Sequence, residues 1–411
     1  MKRRSIYQHN PAPERRGSLT VWTLLVMVTC ICCVSLVANT GYLSGLRSDS
    51  HRCAQVAALA AGRRLLTDDI LRCNQRDFEV AAWRLNAKNA ALEMGLPYVA
   101  ERGVPRLTAQ NITIEMGAMA DAHIGRDMES ESFPPVVRVN VSNAAINESS
   151  GRLFLGGLMG ITRGVISEHS EAILQNQIVG FRPGPRCATP IVPLALPEDP
   201  AFNTSHCWSA EIESGRGQDK FTWDDSREAV RSGPDRLPEL VLTITAGDTV
   251  GGPGIAQLVS WNTHTSFKDT LAQFVTGLGQ QHLPADGEGI LAFPSAAGQV
   301  PVSSSDVREI AKAIRPLVGE ARIFPLYDVS ASARLSTERS KVGGKSQHTT
   351  MADHQLLRVV AARVIRLEDV SEQQIRIVFQ PTVLSTPTAV ISVENRTTPH
   401  NRYVWKICLA E

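Results

Sequence analysis

The chain has few aromatic side chains, 5% of 411 residues, and almost no excess of either charge: 42 Lys and Arg stand against 41 Asp and Glu. A formal net charge of +1 gives no field of one sign, so there is no electrostatic case for a nucleic-acid partner. Outside one apolar run there is no Cys-x-x-Cys pair, and no His/Cys cluster has zinc-site spacing; His51, Arg52 and Cys53 are too sparse to hold a metal. Gly-x-Ser-x-Gly and His-Glu-x-x-His are missing, and the turn Gly251, Gly252, Pro253, Gly254 lacks the Lys-Ser/Thr of a phosphate loop. These absences leave no catalytic constellation, and the expectation is a protein that is not an enzyme and takes no cofactor or metal.

What the chain does have is a long greasy stretch near its start. Residues 19–38 read LTVWTLLVMVTCICCVSLVA, and no charge follows until Arg47. About 20 apolar residues in a helix rising 1.5 Å each cross the roughly 30 Å hydrocarbon core of a bilayer. A buried soluble helix would carry a polar stripe, and this one has none. A cleaved secretory signal fits poorly, because the apolar stretch is too long and Ala38 has Leu36 two positions before it. The reading is an uncleaved anchor. Lys2, Arg3, Arg4, Arg15 and Arg16 against Glu14 favour a cytoplasmic N-terminal tail (1–17), a span over 18–46 and everything later outside.

Of eight cysteines, Cys30, Cys32 and Cys33 lie in the span, where they pack as small apolar groups. Cys53, Cys73, Cys187, Cys207 and Cys408 would face an oxidising compartment. Cys187 and Cys207 flank a proline-rich segment, and a disulfide closing that loop would contribute on the order of 3 kcal/mol. It is predicted here, with an odd thiol left over.

Alanine-rich sequence after the span predicts that the helix runs on out of the bilayer, to about Leu66. A second helix is expected over 68–95, ended by Gly95, Leu96 and Pro97, then strands over 107–115 and 136–141 and a glycine-rich apolar helix over 150–164. Residues 167–174 read as a short strand or helix. Prolines at 183, 185, 190, 193, 197 and 200 mark a boundary or a loop at a strand rim. Beyond it, strands are expected over 240–245, 257–261, 321–327, 356–367, 375–379 and 388–393, with helices over 266–277 and 304–318. The fold class is α+β: a transmembrane helix continuing into a long helix, then a mixed helix/strand extracytoplasmic domain, divided into a small head over 47–180 and a second region over 181–411.

Arg15, Arg16 and Gly17 precede the span; Asn39 and Gly41 lie at its end; Arg47 then leads into Gln55, Ala57, Ala58, Leu59, Ala60 and Ala61. This order resembles the N-terminus of bacterial TadE/TadG-like proteins of Flp (tight adherence) pilus assembly. There an Arg-Arg-Gly precedes the span, an Asp-x-Gly follows it, and an Arg leads into a Leu-Gln-x-Ala-Ala-Asp-Ala-Ala-Ala-Leu-Ala-Ala-like run. Asn39 stands for the family's Asp and Gln55 for its second Asp, so each position loses a charge and keeps a polar group. Trp22 occupies the position where a type IV pilin carries Glu, so prepilin processing at Gly17 finds no support. Residues 190–197 and 314–328 are more loosely similar to longer TadG-like proteins. The resemblance implies a bacterial inner-membrane protein with a periplasmic head, whose partners are the bilayer and other pilus-assembly or envelope proteins. The helix after Arg47 would pack against them, in a homo- or hetero-oligomer.

Three local features invite other readings. Asp328, Ser330 and Ser332 spell a metal-dependent adhesion motif, but its later Thr and Asp ligands have no room to follow, and a turn is expected. Asp224 and Asp225 are the sole foothold for the alternative function, a single-pass type II glycosyltransferase-like luminal enzyme. Sequons at Asn111, Asn140, Asn147, Asn203 and Asn395 add weight to that alternative.

Overall fold

The computed structural model describes residues 17–73, 78–100, 108–117, 135–142, 166–202, 204–247, 252–262, 266–283, 289–330, 353–392 and 400–410. The chain divides into two compact units. The first gathers Met1–Ala54, Gly95–Thr113 and Asn140–His169, and the second gathers Gln55–Met94, Ile114–Val139 and Ser170–Glu411. The second unit thus draws residues 55–94 and 114–139 together with 170–411.

Helix α1 (Gly17–Leu65) is one uninterrupted helix of 49 residues, as the alanine-rich continuation predicts. The helix expected over 68–95 is two helices, α2 (Asp69–Arg72) and α3 (Val80–Ala100). The second runs through its expected stop, with Pro97 inside the helix. The helix expected over 150–164 lies outside the described residues.

The first strands are β1 (Ile112–Gly117), β2 (Val136–Ser142), β3 (Ser167–Gln175) and β4 (Ile178–Phe181). β1 starts later than the alternation suggests. Asn111 folds its side chain back to accept from the Thr108 N–H at 2.9 Å, turning 109–111 into a 3₁₀ turn. β5 (Leu194–Glu198), the hairpin β6 (Phe221–Asp224) and β7 (Ala229–Ser232), β8 (Leu240–Thr245) and β9 (Gln257–Ser260) follow. Then come β10 (Leu291–Ala292), β11 (Ser295–Gln299), β12 (Ala321–Asp328), β13 (Asp353–Ser371), β14 (Gln374–Pro381), β15 (Leu384–Ser385), β16 (Ala389–Ile391) and β17 (Val404–Ala410).

A seven-stranded sheet runs β11-β9-β5-β12-β13-β14-β8, and β11 also pairs with β13. That extra pairing closes β11, β9, β5, β12 and β13 into a ring. A ring with an odd number of strands cannot be antiparallel throughout, and the one parallel pair is β5 with β12. Inside and around it pack Leu194, Leu196, Phe324, Tyr327 and Phe379, all fully buried, with Phe324 and Phe379 edge to face at 5.2 Å. The proline-rich segment is thus no rim loop: β5 lies in the middle of this sheet. Pro190 and Pro193 serve as carbonyl acceptors for Ile323 and Val259, and the pairing with β9 ends at Ala195, before Pro197.

Two helices cover this sheet's unit. α4 (Phe267–Thr276) is capped by Ser266, whose hydroxyl accepts from the Asp269 N–H at 3.1 Å. It ends at Gly277, whose φ of 74° and contact with the Thr189 carbonyl exclude a side chain. α5 (Ser304–Ile314) buries Val307, Ile310, Ala311 and Ile314, one face of a 3.6-residue repeat. A second sheet of five strands runs β1-β2-β3-β17-β15, and β4 lies between β10 and β16.

Candidate functional site

The first half of α1 is a helix with nothing packed on most of it. Leu19, Val21, Trp22, Leu24, Leu25, Val26, Met27 and Val28 are all at least half exposed. Among the described residues it is the one helix long and apolar enough to cross a membrane, with a mean hydropathy of 2.5. Its hydroxyls are satisfied within the helix. Thr23 donates to the Thr20 carbonyl at 2.9 Å, Thr29 to Leu25 at 2.8 Å and Thr40 to Leu36 at 2.6 Å. A polar group bonded to its own backbone needs no water, the condition for sitting in hydrocarbon. Gly41 is exposed and meets no neighbour, and Asn39 is half-buried. Gly17 is the first residue of the helix, and Arg16 lies outside the described residues.

The second half has the opposite character. Cys53, Ala54, Ala57, Ala58, Ala61 and Leu65 are fully buried, while Gln55, Leu59 and Ala60 are half-buried and Arg63 and Arg64 exposed. The buried positions recur at i, i+3, i+4 and i+7, one stripe of the helix. Gly62 shows what the stripe faces: a Cβ there would lie 3.3 Å from Leu174 Cδ2 and 3.6 Å from both Ala172 and Ile407. Alanine and glycine let the helix axis sit directly on β3 and β17. On α3, Ala87 and Ala91 are likewise fully buried, and the Cys53 thiol donates to the Gly95 carbonyl at 3.4 Å. Of the expected packing stretch, Arg47 and the run from Ala57 to Gly62, the residues Ala57, Ala58 and Ala61 are covered by the chain's own fold. Arg47 does not join the seam; its side chain is 68% exposed, with Glu168 Oε1 3.9 Å from its Nε.

One signal passed unread in the sequence: Asp68, directly after the alanine run. Its carboxylate accepts from Thr382 Oγ1 at 2.6 Å and from the Val383 N–H at 2.9 Å, and pairs with Arg363. The Arg363 guanidinium also lies over the Trp223 ring, 5.6 Å from its centroid. One turn on, Arg72 reaches Asp235 at 3.4 Å, and Asp235 accepts from Gln380 Nε2 at 3.1 Å. Burial pushes the Asp235 carboxyl up, against the pull of the Leu237 N–H and Arg72. The segment that follows α1 is thereby tied by charge to Arg363 of β13, to the turn after β14 and to Asp235.

The chemical candidates do not assemble. Asp328 accepts from both the N–H and the hydroxyl of Ser330, an ordinary Asx turn, and Ser332 lies outside the described residues. Asp224 accepts from Ser226 and pairs with Arg231 at 2.5 Å, which hold its carboxyl below the usual range; Asp225 accepts from Trp223 Nε1 at 2.7 Å. Both carboxylates are used in shaping the β6–β7 hairpin. Among the described residues no three His, Cys, Asp or Glu side chains are placed to hold a metal. The Asn111 amide is 3% exposed and donates to the Ser142 carbonyl at 2.8 Å, so this sequon is structural. The predicted disulfide is not formed: Cys187 is exposed, Cys207 is fully buried, and both are free thiols. Burial pushes the Cys207 thiol up to about 12, helped by Asp199, Glu198 and Glu211. A last polar cluster, Arg358 between Glu198 and Glu213 at 2.6 and 2.8 Å, is an internal ion pair that anchors β13 to β5. In comparisons with known proteins, no family model, no curated protein and no solved structure matches this chain.

Proposed function

We propose that the chain is a single-pass, non-enzymatic membrane component of a Flp/Tad-type pilus-assembly or secretion apparatus, with its N-terminus in the cytoplasm and its folded domain in the periplasm. The observation that carries the reading is the division of α1. One continuous helix leaves its charge-free half bare on nearly every face and builds its alanine-rich half into the fold. Bare apolar surface over some twenty residues is costly in water, on the order of 25 cal/mol per Å², and costs nothing in lipid. The reading also rests on the ordered motif from Arg16 to Ala61, whose alanines act here as an internal seam rather than as an outer docking face. Partners in the membrane are then met through the exposed half of α1, and partners in the periplasm through the domain's surface.

A topology reporter tests the proposal. Alkaline phosphatase fused after Glu411 should be active and a cytoplasmic reporter at the same place silent, while the full chain stays with membranes through alkaline extraction. Release of the chain into the wash, or a silent phosphatase, removes the reading. Co-purification with the secretion ATPase and platform proteins of such an apparatus tests the narrower assignment, and a chain that isolates without them from cells that assemble the filament would overturn it.

A further inference from the structure

The bare half of α1 carries its own depth gauge. From Gly17 to Leu46 there are 30 positions without a charge. At 1.5 Å per residue these extend about 45 Å, the thickness of a bilayer with its headgroup layers, roughly 40–45 Å. Within that interval stand two large amphipathic aromatics, Trp22 and Tyr42, 66% and 43% exposed. They are 20 positions apart along an unbroken helix, which is about 30 Å, the thickness of the hydrocarbon core alone. Indole and phenol rings collect at the level where hydrocarbon meets headgroups. The first charge beyond Tyr42 is Arg47, five positions on and thus about 7.5 Å further out, at the depth of the lipid phosphates. Its side chain is 68% exposed and its guanidinium only loosely held by Glu168 at 3.9 Å, and the fork of donors matches a phosphate diester.

Resting on the membrane reading above, we infer that α1 is fixed in depth by an aromatic at each interface, Trp22 and Tyr42, and that Arg47 binds the headgroup phosphate of phospholipids in the leaflet next to the folded domain. Three spacings agree on one placement. The aromatic pair matches the hydrocarbon, the uncharged interval matches the whole bilayer, and the arginine falls where the phosphates lie. An aromatic ring resists movement in either direction, whereas a guanidinium resists only movement into hydrocarbon. The pair Tyr42 and Arg47 therefore sets how far the helix stands out of the membrane.

Cysteine accessibility in native membranes tests this with the full chain. A membrane-impermeant maleimide is applied from the side of the folded domain, and labelling at each thiol is read by peptide mass. Leu36→Cys should stay unlabelled, and Ser44→Cys and Ser48→Cys should react at least tenfold faster. Arg47→Leu should protect Ser44→Cys several-fold by letting the helix sink, while Arg47→Lys keeps it reactive. Ser44→Cys and Ser48→Cys as slow as Leu36→Cys would overturn the placement, and an Arg47→Leu chain with unchanged labelling would overturn the phosphate contact. Cys30, Cys32 and Cys33 report on the premise separately: if these native thiols react as fast as Ser48→Cys, the helix is not in lipid at all and the membrane reading itself fails.

Discussion

Replacing Asp68 by Ala removes the anion that ties the segment between α1 and α2 to Arg363, Thr382 and Val383. The lost groups are a hydroxyl hydrogen bond from Thr382, a backbone one from Val383, and the pair with Arg363. Hydrogen bonds to a charged acceptor contribute about 1.5–3 kcal/mol each, and removing one member of a buried ion pair costs about 3–5 kcal/mol. Asp68 and Arg363 are 19% and 12% exposed, and Arg363 keeps the Trp223 face and a longer contact of 3.8 Å to Asp225. Water and the remaining partners soften the loss, so the lower end applies, about 3 kcal/mol. For a domain of this size that lowers the unfolding midpoint by about 6–12 °C. Thermal unfolding of the full chain in detergent, followed by tryptophan fluorescence, measures it, since Trp208 and Trp405 are buried in the domain core. Arg363→Ala should be costly as well, and the double variant should fall short of the sum by about 1–3 kcal/mol. A loss under about 0.5 kcal/mol for Asp68→Ala, the range of ordinary surface changes, would refute this tie.

Other outcomes follow from the same geometry. Ala58→Arg should unfold the domain in the same detergent assay while leaving the membrane anchoring proposed above intact under alkaline extraction, because Ala58 is fully buried but lies outside the charge-free half of α1; a folded variant would show that the seam tolerates bulk. Burial raises the carboxyls of Glu198, Asp235 and Glu239 above their ordinary 4.5, 3.8 and 4.5. The folded chain then holds protons that the unfolded chain has released, so stability should be greatest from these groups below about pH 4 and decline as pH rises through the raised values. Asp224 acts in the opposite sense below 3.8. A denaturant midpoint rising with pH across that window would contradict the assignment. Under native conditions Cys187 should react with maleimide and Cys207 only after unfolding, with no peptide linking the two in a non-reducing mass map.

The long helix and about half of the strands are legible because their signals are local. A charge-free run, the amphipathic stretches over 266–277 and 304–318, and alternation in 240–245 each report on their own neighbourhood. β5 was hidden because prolines argue against a central strand, and only the register shows that their missing N–H groups fall where no partner asks for one. β17 was hidden for a different reason: Val404–Ala410 gains its partners β3 and β15 from far along the chain. The alanine run was visible, but what it packs against was not. Small residues announce a close approach without naming who approaches, and here Leu174 and Ile407 of the same chain supply the answer. Asp68 reads as a helix opener until Arg363 and Thr382 are seen beside it.

Gly62 touching Ile407 ties an early residue to one more than three hundred positions later. A nascent chain delivering its greasy segment first would present the alanine stripe long before any wall exists to cover it. The wall would be complete only when β17 slots between β3 and β15, so the apolar stripe stays open for the whole interval between the synthesis of the two.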